Sequence, residues 1–243
     1  MKVEGKAARR AGVAAAVLIA GALILPAPAR AQNGKITGKV TLDGTAPAPV
    51  KLKMDADPIC AQKNPNATSE EVVVGPGGGL QNVFVRVTAG APAGPFPPPK
   101  DPVTIDQDGC HYKPHVVGVQ VGQPLKIMND DGTLHNVHGM PKKNPPFNFA
   151  MPKFVKQKET TFTTPEVMVA MKCDVHPWMN GFIGVVDNPF FAVTGPDGTY
   201  TIQNLPPGEY TIEAWQEKYG TQTGKVKVDA NGTATSDFKF KAS

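Results

Sequence analysis

Glycine and proline, twenty-five of each among 243 residues, place the strongest constraint on what this chain can fold into. Proline lacks a backbone donor and glycine weakens regular elements, so both residues interrupt long helices. From Lys35 onward they separate short stretches in which β-branched residues alternate with polar ones, and helical periodicity is nearly absent. The sequence therefore predicts a protein that is nearly all β.

Individual strands are visible as stretches of period-two alternation bounded by turn residues. The predicted strands are residues 36–42, 83–87, 116–121, 124–128, 167–171 and 182–186. Residues 89–102 contain too many prolines to sustain a sheet ladder, so we interpret them as a linker.

The first 31 residues have the composition of a secretory signal peptide. Four basic residues precede an apolar run over residues 11–25, and Ala29-Arg30-Ala31 resembles a small-residue cleavage site. The run is short and alanine-rich for a bilayer span. We expect export to the periplasm or secretion, with residues 1–31 removed and no stable membrane insertion afterwards.

The basic character of the chain belongs largely to this leader. Residues 1–31 hold five of the 25 basic and one of the 21 acidic residues, which leaves 20 of each in the remainder. The sequence pI of 8.9 is therefore no argument for nucleic acid or for an anionic membrane surface, and we predict neither partner.

A soft-metal ligand set follows the fifth predicted strand. Cys173, His176 and Met179 stand at three-residue intervals, and His135 precedes them in the chain. One thiolate, two imidazoles and a weak thioether suit copper better than zinc, calcium or magnesium. We predict these four residues as copper ligands. If His135 points into the site, strand alternation turns His138 away from it.

Three cysteines are an odd number for an exported protein, which favours one disulfide and one thiol kept for another purpose. Because Cys173 belongs to the ligand set, Cys60 and Cys110 are the natural pair for a structural disulfide. In the chain-entropy model such a bridge contributes about 3–4 kcal/mol.

Residues 103–187 resemble a small cupredoxin with a ligand loop of the amicyanin and pseudoazurin-like group. The segments that carry the resemblance are Tyr112-Lys113-Pro114-His115-Val116, the Gly122 turn, Asn129-Asp130, His135-Asn136-Val137 and the triplet of Cys173, His176 and Met179. The resemblance implies a Greek-key β-sandwich, one type 1 copper per chain, and a backbone amide of Asn136 that bonds the Cys173 sulfur. It also implies an exposed His176 edge through which electrons leave, in an apolar patch of Met140, Pro141, Pro177 and Trp178.

Residues 194–214 resemble a carboxypeptidase regulatory-like, or prealbumin-like, β-sandwich. That family opens with two further strands, and the pieces that match them, Gly38-Lys39-Val40 and Val83-Phe84-Val85, lie on the other side of the cupredoxin-like region. We therefore predict that residues 33–102 and 188–243 form one sandwich into which residues 103–187 are inserted. The alternative is an N-terminal extension followed by a separate C-terminal domain.

The leading hypothesis for function is a type 1 copper protein that carries single electrons between periplasmic redox proteins such as c-type cytochromes or oxidoreductases. A four-ligand site without an open position is unsuited to catalysis, so we do not expect an enzyme. The alternative is a copper-binding or copper-delivery protein. A second metal site that uses His111, His115 and His138 is a further alternative.

Overall fold

Residues 1–2 and 32–242 are those that the computed structural model describes, so the predicted signal peptide, apart from its first two residues, lies outside the described part. The described chain is nearly all β, as predicted, with a short α-helix, α1 (Pro58–Lys63), and a 3-10 turn (Pro76–Gly78). None of the described helices is long and apolar enough to cross a membrane.

Each predicted strand corresponds to an observed strand whose ends differ by at most two residues. The strands before the predicted linker are β1 (Gly34–Asp43) and β2 (Phe84–Ala89). The middle of the chain forms β3 (Val103–Gln107), β4 (Tyr112–Lys113), β5 (Val116–Gln120), β6 (Leu125–Asn129), β7 (His135–Met140), β8 (Phe147–Met151), β9 (Gln157–Thr160), β10 (Glu166–Lys172) and β11 (Asn180–Val186). The C-terminal part forms β12 (Phe191–Val193), β13 (Thr199–Leu205), β14 (Gly208–Gln216), β15 (Gly220–Val228), β16 (Thr233–Thr235) and β17 (Phe238–Lys241).

The two strands before the linker pair with strands from the C-terminal part. Strand β1 pairs antiparallel with β13 and parallel with β16 and β17. Strand β2 lies between β12 and β14 in the sheet β12-β2-β14-β15. Residues from both sheets, such as Val40, Val85 and Ile212, share one apolar core. The nested arrangement requires this pairing, and a separate C-terminal domain would lack it.

The turn before β13 depends on a glycine. Gly198 has φ +78°, and a Cβ built there would lie 2.3 Å from the carbonyl oxygen of Val40 on β1. Only glycine fits this close approach without a shift of the backbone. The Asp197-Gly198 turn thereby lets β13 pair with β1.

Strands β3–β11 form the second sandwich. One sheet has the order β5-β11-β10-β7-β8 and the other β4-β3-β6-β9. Ile105 and Ile127 from one sheet and Val119, Val137 and Ile183 from the other are buried in a common core. Strands β7 and β10 are antiparallel neighbours, which places the start of β7 close to the loop after β10.

An aromatic layer joins the two sandwiches. Phe84 of β2 is fully buried with Val116 of β5, and Phe191 of β12 packs beside them. A Cβ at Gly118 would lie 2.2 Å from the Phe191 ring, and one at Gly184 would lie 2.5 Å from the Phe84 ring. These two glycines therefore let the rings approach the sheet of the second sandwich closely.

Helix α1 belongs to the segment before the linker but is bonded to the second sandwich. Asp57 caps the helix, with Pro58 in its first turn, a standard pattern for a helix start. Cys60 and Cys110 form the predicted disulfide, with a Cα–Cα distance of 5.5 Å. The bridge holds α1 against the turn between β3 and β4.

Candidate metal centre

Three neighbouring strands, β11, β10 and β7, bring the four predicted ligands to the same end of the second sandwich. His135 is the first residue of β7, Cys173 follows the last residue of β10, and Met179 directly precedes β11. His176 lies in the loop between β10 and β11. All four residues are buried, with exposed fractions of 2% or less.

The loop from Cys173 to Met179 is closed by its own hydrogen bonds. The amide of Cys173 donates to the carbonyl of Met179 at 3.1 Å, and the amide of Met179 donates to the carbonyl of His176 at 2.9 Å. Met179 is fully buried in the same apolar cluster as Cys173. The loop therefore holds its three candidate ligands in a fixed, compact turn.

Three ligand atoms converge in the buried space that this loop encloses. His135 Nδ1 lies 3.0 Å from His176 Nδ1, and Cys173 Sγ lies 3.8 Å from His176 Nδ1. One ligand atom from each of these residues lies within 4.8 Å of the others. The three side chains thus have the arrangement of a metal-binding cluster.

The other ring nitrogen of each histidine faces a carboxylate. His135 Nε2 lies 2.9 Å from Asp131 Oδ2, and His176 Nε2 lies 3.2 Å from Asp57 Oδ2. A carboxylate accepts hydrogen bonds, so each pair places the proton on Nε2 and leaves Nδ1 as a lone-pair donor. Two such lone pairs facing each other at 3.0 Å repel unless a proton or a metal cation lies between them.

Asp131 is a fully buried carboxylate with several donors around it. Its oxygens accept from the amides of Gly109 and Cys110 and from Lys63 Nζ, in addition to His135 Nε2. Burial by itself raises the pKa of Asp131, but these bonds hold the pKa well below its usual range. For His135, burial lowers the pKa and the Asp131 carboxylate raises it, with a net increase.

The edge of His176 is covered, and the predicted exposed exit at this residue is therefore wrong. The residue is 2% exposed, because Asp57 and the first turn of α1 lie over its Nε2 atom and Cys60 Sγ lies 3.8 Å from that atom. Trp178 packs on the ring at a centroid distance of 5.0 Å. Met140, a residue of the predicted apolar patch, is 39% exposed, but the His176 imidazole that the patch was expected to surround is buried.

The Cys173 sulfur accepts two backbone hydrogen bonds. The amides of Asn136 and His176 each lie 3.4 Å from Sγ, and the first is the contact that the cupredoxin resemblance implies. Burial raises the pKa of the Cys173 thiol, but bonds from both histidines and both amides lower it to about 6. The thiolate is the form that binds metals.

The buried Tyr112 hydroxyl donates to the carbonyls of Asn136 and Lys172 and so ties β7 to β10.

The remaining histidines do not join the cluster. His138 is half-buried and contacts Asp174, as strand alternation predicts for a side chain that points away. His115 Nε2 lies 2.6 Å from Glu217, and His111 Nδ1 lies 3.2 Å from the side chain of Asn64. The three side chains therefore have separate partners, and the structure does not bring them together as one site.

Asp57 and Asp131 are site residues that the sequence reasoning missed. Asp131 is four residues before His135 in a turn, where spacing carries no information about contact. Asp57 is 119 residues from His176, and its sequence context, Asp57-Pro58, is that of a helix cap. An aspartate that caps a helix gives no sequence signal that its other oxygen also contacts a distant histidine.

The comparison with protein families gives one match. Residues 185–241 match the carboxypeptidase regulatory-like domain, which confirms the resemblance seen over residues 194–214. The matched region contains strands β12–β17. No curated protein sequence matches the chain.

Several solved structures resemble part of the chain. A copper-containing nitrite reductase from Thermus scotoductus SA-01 is 28% identical with a TM-score of 0.30, over 41% of this chain and 25% of its own length. The Cu(I) form of an amicyanin variant is 21% identical with a TM-score of 0.32, over 42% and 97%. A purple cupredoxin from Nitrosopumilus maritimus is 22% identical with a TM-score of 0.29, over 34% and 97%.

Proposed function

We propose that this chain is an exported type 1 copper protein that binds one copper ion and carries single electrons. The observation that supports the proposal is the convergence of Cys173 Sγ with the Nδ1 atoms of His135 and His176, while carboxylates hold both Nε2 atoms. Met179, buried at the end of the same loop, is proposed as the weak axial ligand.

The donor set favours copper over other metals. Calcium and magnesium prefer oxygen ligands, whereas this cluster offers sulfur and nitrogen. Structural zinc sites take four cysteine or histidine ligands, and here the fourth candidate is a thioether. A thiolate, two imidazoles and a thioether fit a blue-copper site. When bound, copper supplies a one-electron couple between Cu(I) and Cu(II).

The protein holds these ligands in one arrangement. Amides of Asn136 and His176 bond the sulfur of Cys173, and carboxylates fix the orientation of each imidazole. The Tyr112 hydroxyl joins β7 and β10, the strands next to His135 and Cys173. Because so many bonds fix the site, little must move when the charge of the centre changes, and this rigidity favours electron transfer.

The burial of the site argues against catalysis at the metal. Each of the four residues is at most 2% exposed, so a substrate has no open side from which to bind. We therefore propose that the chain is not an enzyme. We propose periplasmic redox proteins, such as c-type cytochromes or oxidoreductases, as its partners, and neither nucleic acid nor a membrane.

Copper delivery is the alternative function, and the burial of the four candidate ligands argues against it. Rapid transfer of copper to another protein requires ligands that an acceptor can reach. Here His176 is covered by α1 and His135 is fully buried with Asp131. These contacts favour retention of the metal.

Copper stoichiometry and the visible spectrum of the loaded full chain test the proposal. We expect one copper per chain and an intense thiolate-to-copper charge-transfer band. In Cys173→Ser the band is expected to disappear, whereas His138→Gln, a histidine outside the cluster, keeps both the band and the stoichiometry. Two coppers per chain, or a band that persists in Cys173→Ser, would contradict the proposal.

A further inference from the structure

We propose that Asp57, from the segment before the linker, is the positioning residue for His176: it keeps the proton on Nε2 so that Nδ1 stays free for the metal. This inference rests on the proposed copper site. Through Asp57, the segment before the linker contributes to a metal centre whose proposed ligands all come from the second sandwich.

The Asp57 carboxylate is held rigidly before it meets the imidazole. Its Oδ1 atom accepts from the amides of Ile59 and Cys60 at 2.8 and 3.2 Å. Its Oδ2 atom accepts from Thr133 Oγ1 at 2.7 Å and lies 3.2 Å from His176 Nε2. The helix cap thus fixes one oxygen and aims the other at His176.

Helix α1 as a whole supports both histidines. Asp57 at its start contacts His176, and Lys63 at its end donates to Asp131 Oδ1 at 2.8 Å, the carboxylate that holds His135. The disulfide through Cys60 fastens the helix between these two contacts. A helix of only six residues therefore reaches the outer side of both imidazoles.

The substitution Asp57→Asn reverses the hydrogen-bonding character of this contact while it keeps the helix cap. Asparagine is as good a cap residue as aspartate, so its oxygen stays with the amides of Ile59 and Cys60. Its NH2 group then takes the place of Oδ2 and points a donor at His176 Nε2. The imidazole must respond by moving its proton to Nδ1, which blocks the metal-binding atom.

The copper-free protein provides a direct test that is independent of copper chemistry. Nitrogen-15 NMR of the histidine side chains distinguishes the two tautomers. We expect the Nε2–H tautomer of His176 in the wild type and in Asp55→Asn, an exposed acidic residue of the same segment. In Asp57→Asn we expect the Nδ1–H tautomer. The same tautomer in all three proteins would overturn the inference.

The loaded protein gives the second readout. Loss of a carboxylate or other group that holds a metal-ligating histidine typically costs about 10–100-fold in metal affinity. The anionic carboxylate stabilises Cu(II) more than Cu(I), so we expect the larger loss for Cu(II) in Asp57→Asn. A tenfold difference between the two losses raises the reduction potential by about 59 mV. Unchanged affinity and potential would overturn the inference.

The two sets of results separate this inference from the proposed function. If wild-type protein lacks the thiolate-to-copper band, the proposed function fails, whatever the tautomer of His176. If the band is present but the tautomer and potential do not respond to Asp57→Asn, only the role of Asp57 fails.

Discussion

Replacement of Asp131 by asparagine is the most informative single change to the framework of the site. Asp131 Oδ1 accepts from Gly109 and Lys63, and Oδ2 accepts from Cys110 and His135. Asparagine retains one oxygen and places an NH2 group where the other stood. One pair of donors therefore faces another donor in a fully buried position.

The expected cost follows from the two bonds that are lost. A hydrogen bond to a charged group contributes about 1.5–3 kcal/mol, and breaking a buried pair by changing one partner costs about 3–5 kcal/mol. Whichever way the new asparagine amide is oriented, two charge-assisted hydrogen bonds are lost. We therefore expect the free energy of unfolding of Asp131→Asn to fall by about 3–5 kcal/mol.

Urea denaturation of the copper-free protein at pH 7 measures this change without a contribution from metal binding. The control is Asp229→Asn, whose exposed side chain lies 3.6 Å from Lys227 and whose replacement should change stability by about 0.5 kcal/mol or less. A loss below about 1 kcal/mol in Asp131→Asn would refute the view that this carboxylate organises the buried hydrogen bonds around His135.

Two further predictions concern parts of the molecule outside the ligand set. Glu166 accepts from three successive backbone amides and from the Asn144 side chain; burial raises its pKa, but these bonds produce a net decrease. The ionised Glu166 side chain therefore stabilises the folded state above the unfolded pKa of about 4.3, and this contribution is lost as pH falls through the folded pKa. Glu166→Gln should unfold more easily than wild type at pH 7, and the difference in stability should vanish in acid. The paired replacement of Cys60 and Cys110 by alanine opens a loop with a sequence separation of 50 and should cost about 3–4 kcal/mol in denaturation experiments, and a cost near zero would contradict a stabilising role.

Six strands and the ligand loop were predictable because their signals are local. Alternation in β6 places Leu125 and Ile127 on the buried face, and the sequence shows that period directly. The spacing of Cys173 and His176 was equally visible. The pairing of Cys60 with Cys110 followed from the number of cysteines.

The environment of His176 was not predictable from the sequence. Its burial depends on α1, which comes from a distant part of the chain and packs there because Asp57 and Cys60 contact the second sandwich. A resemblance to a family with an exposed edge at this position led to the wrong expectation. Contacts between segments so far apart leave no periodic or motif signal.

A redox titration of the copper-loaded full chain tests the central claim most directly. Under anaerobic conditions we expect one electron per chain, a single midpoint potential, and a charge-transfer band that is lost on reduction and fully restored on reoxidation through repeated cycles. Loss of copper on reduction, or a band that does not return, would contradict an electron-transfer role and favour copper delivery.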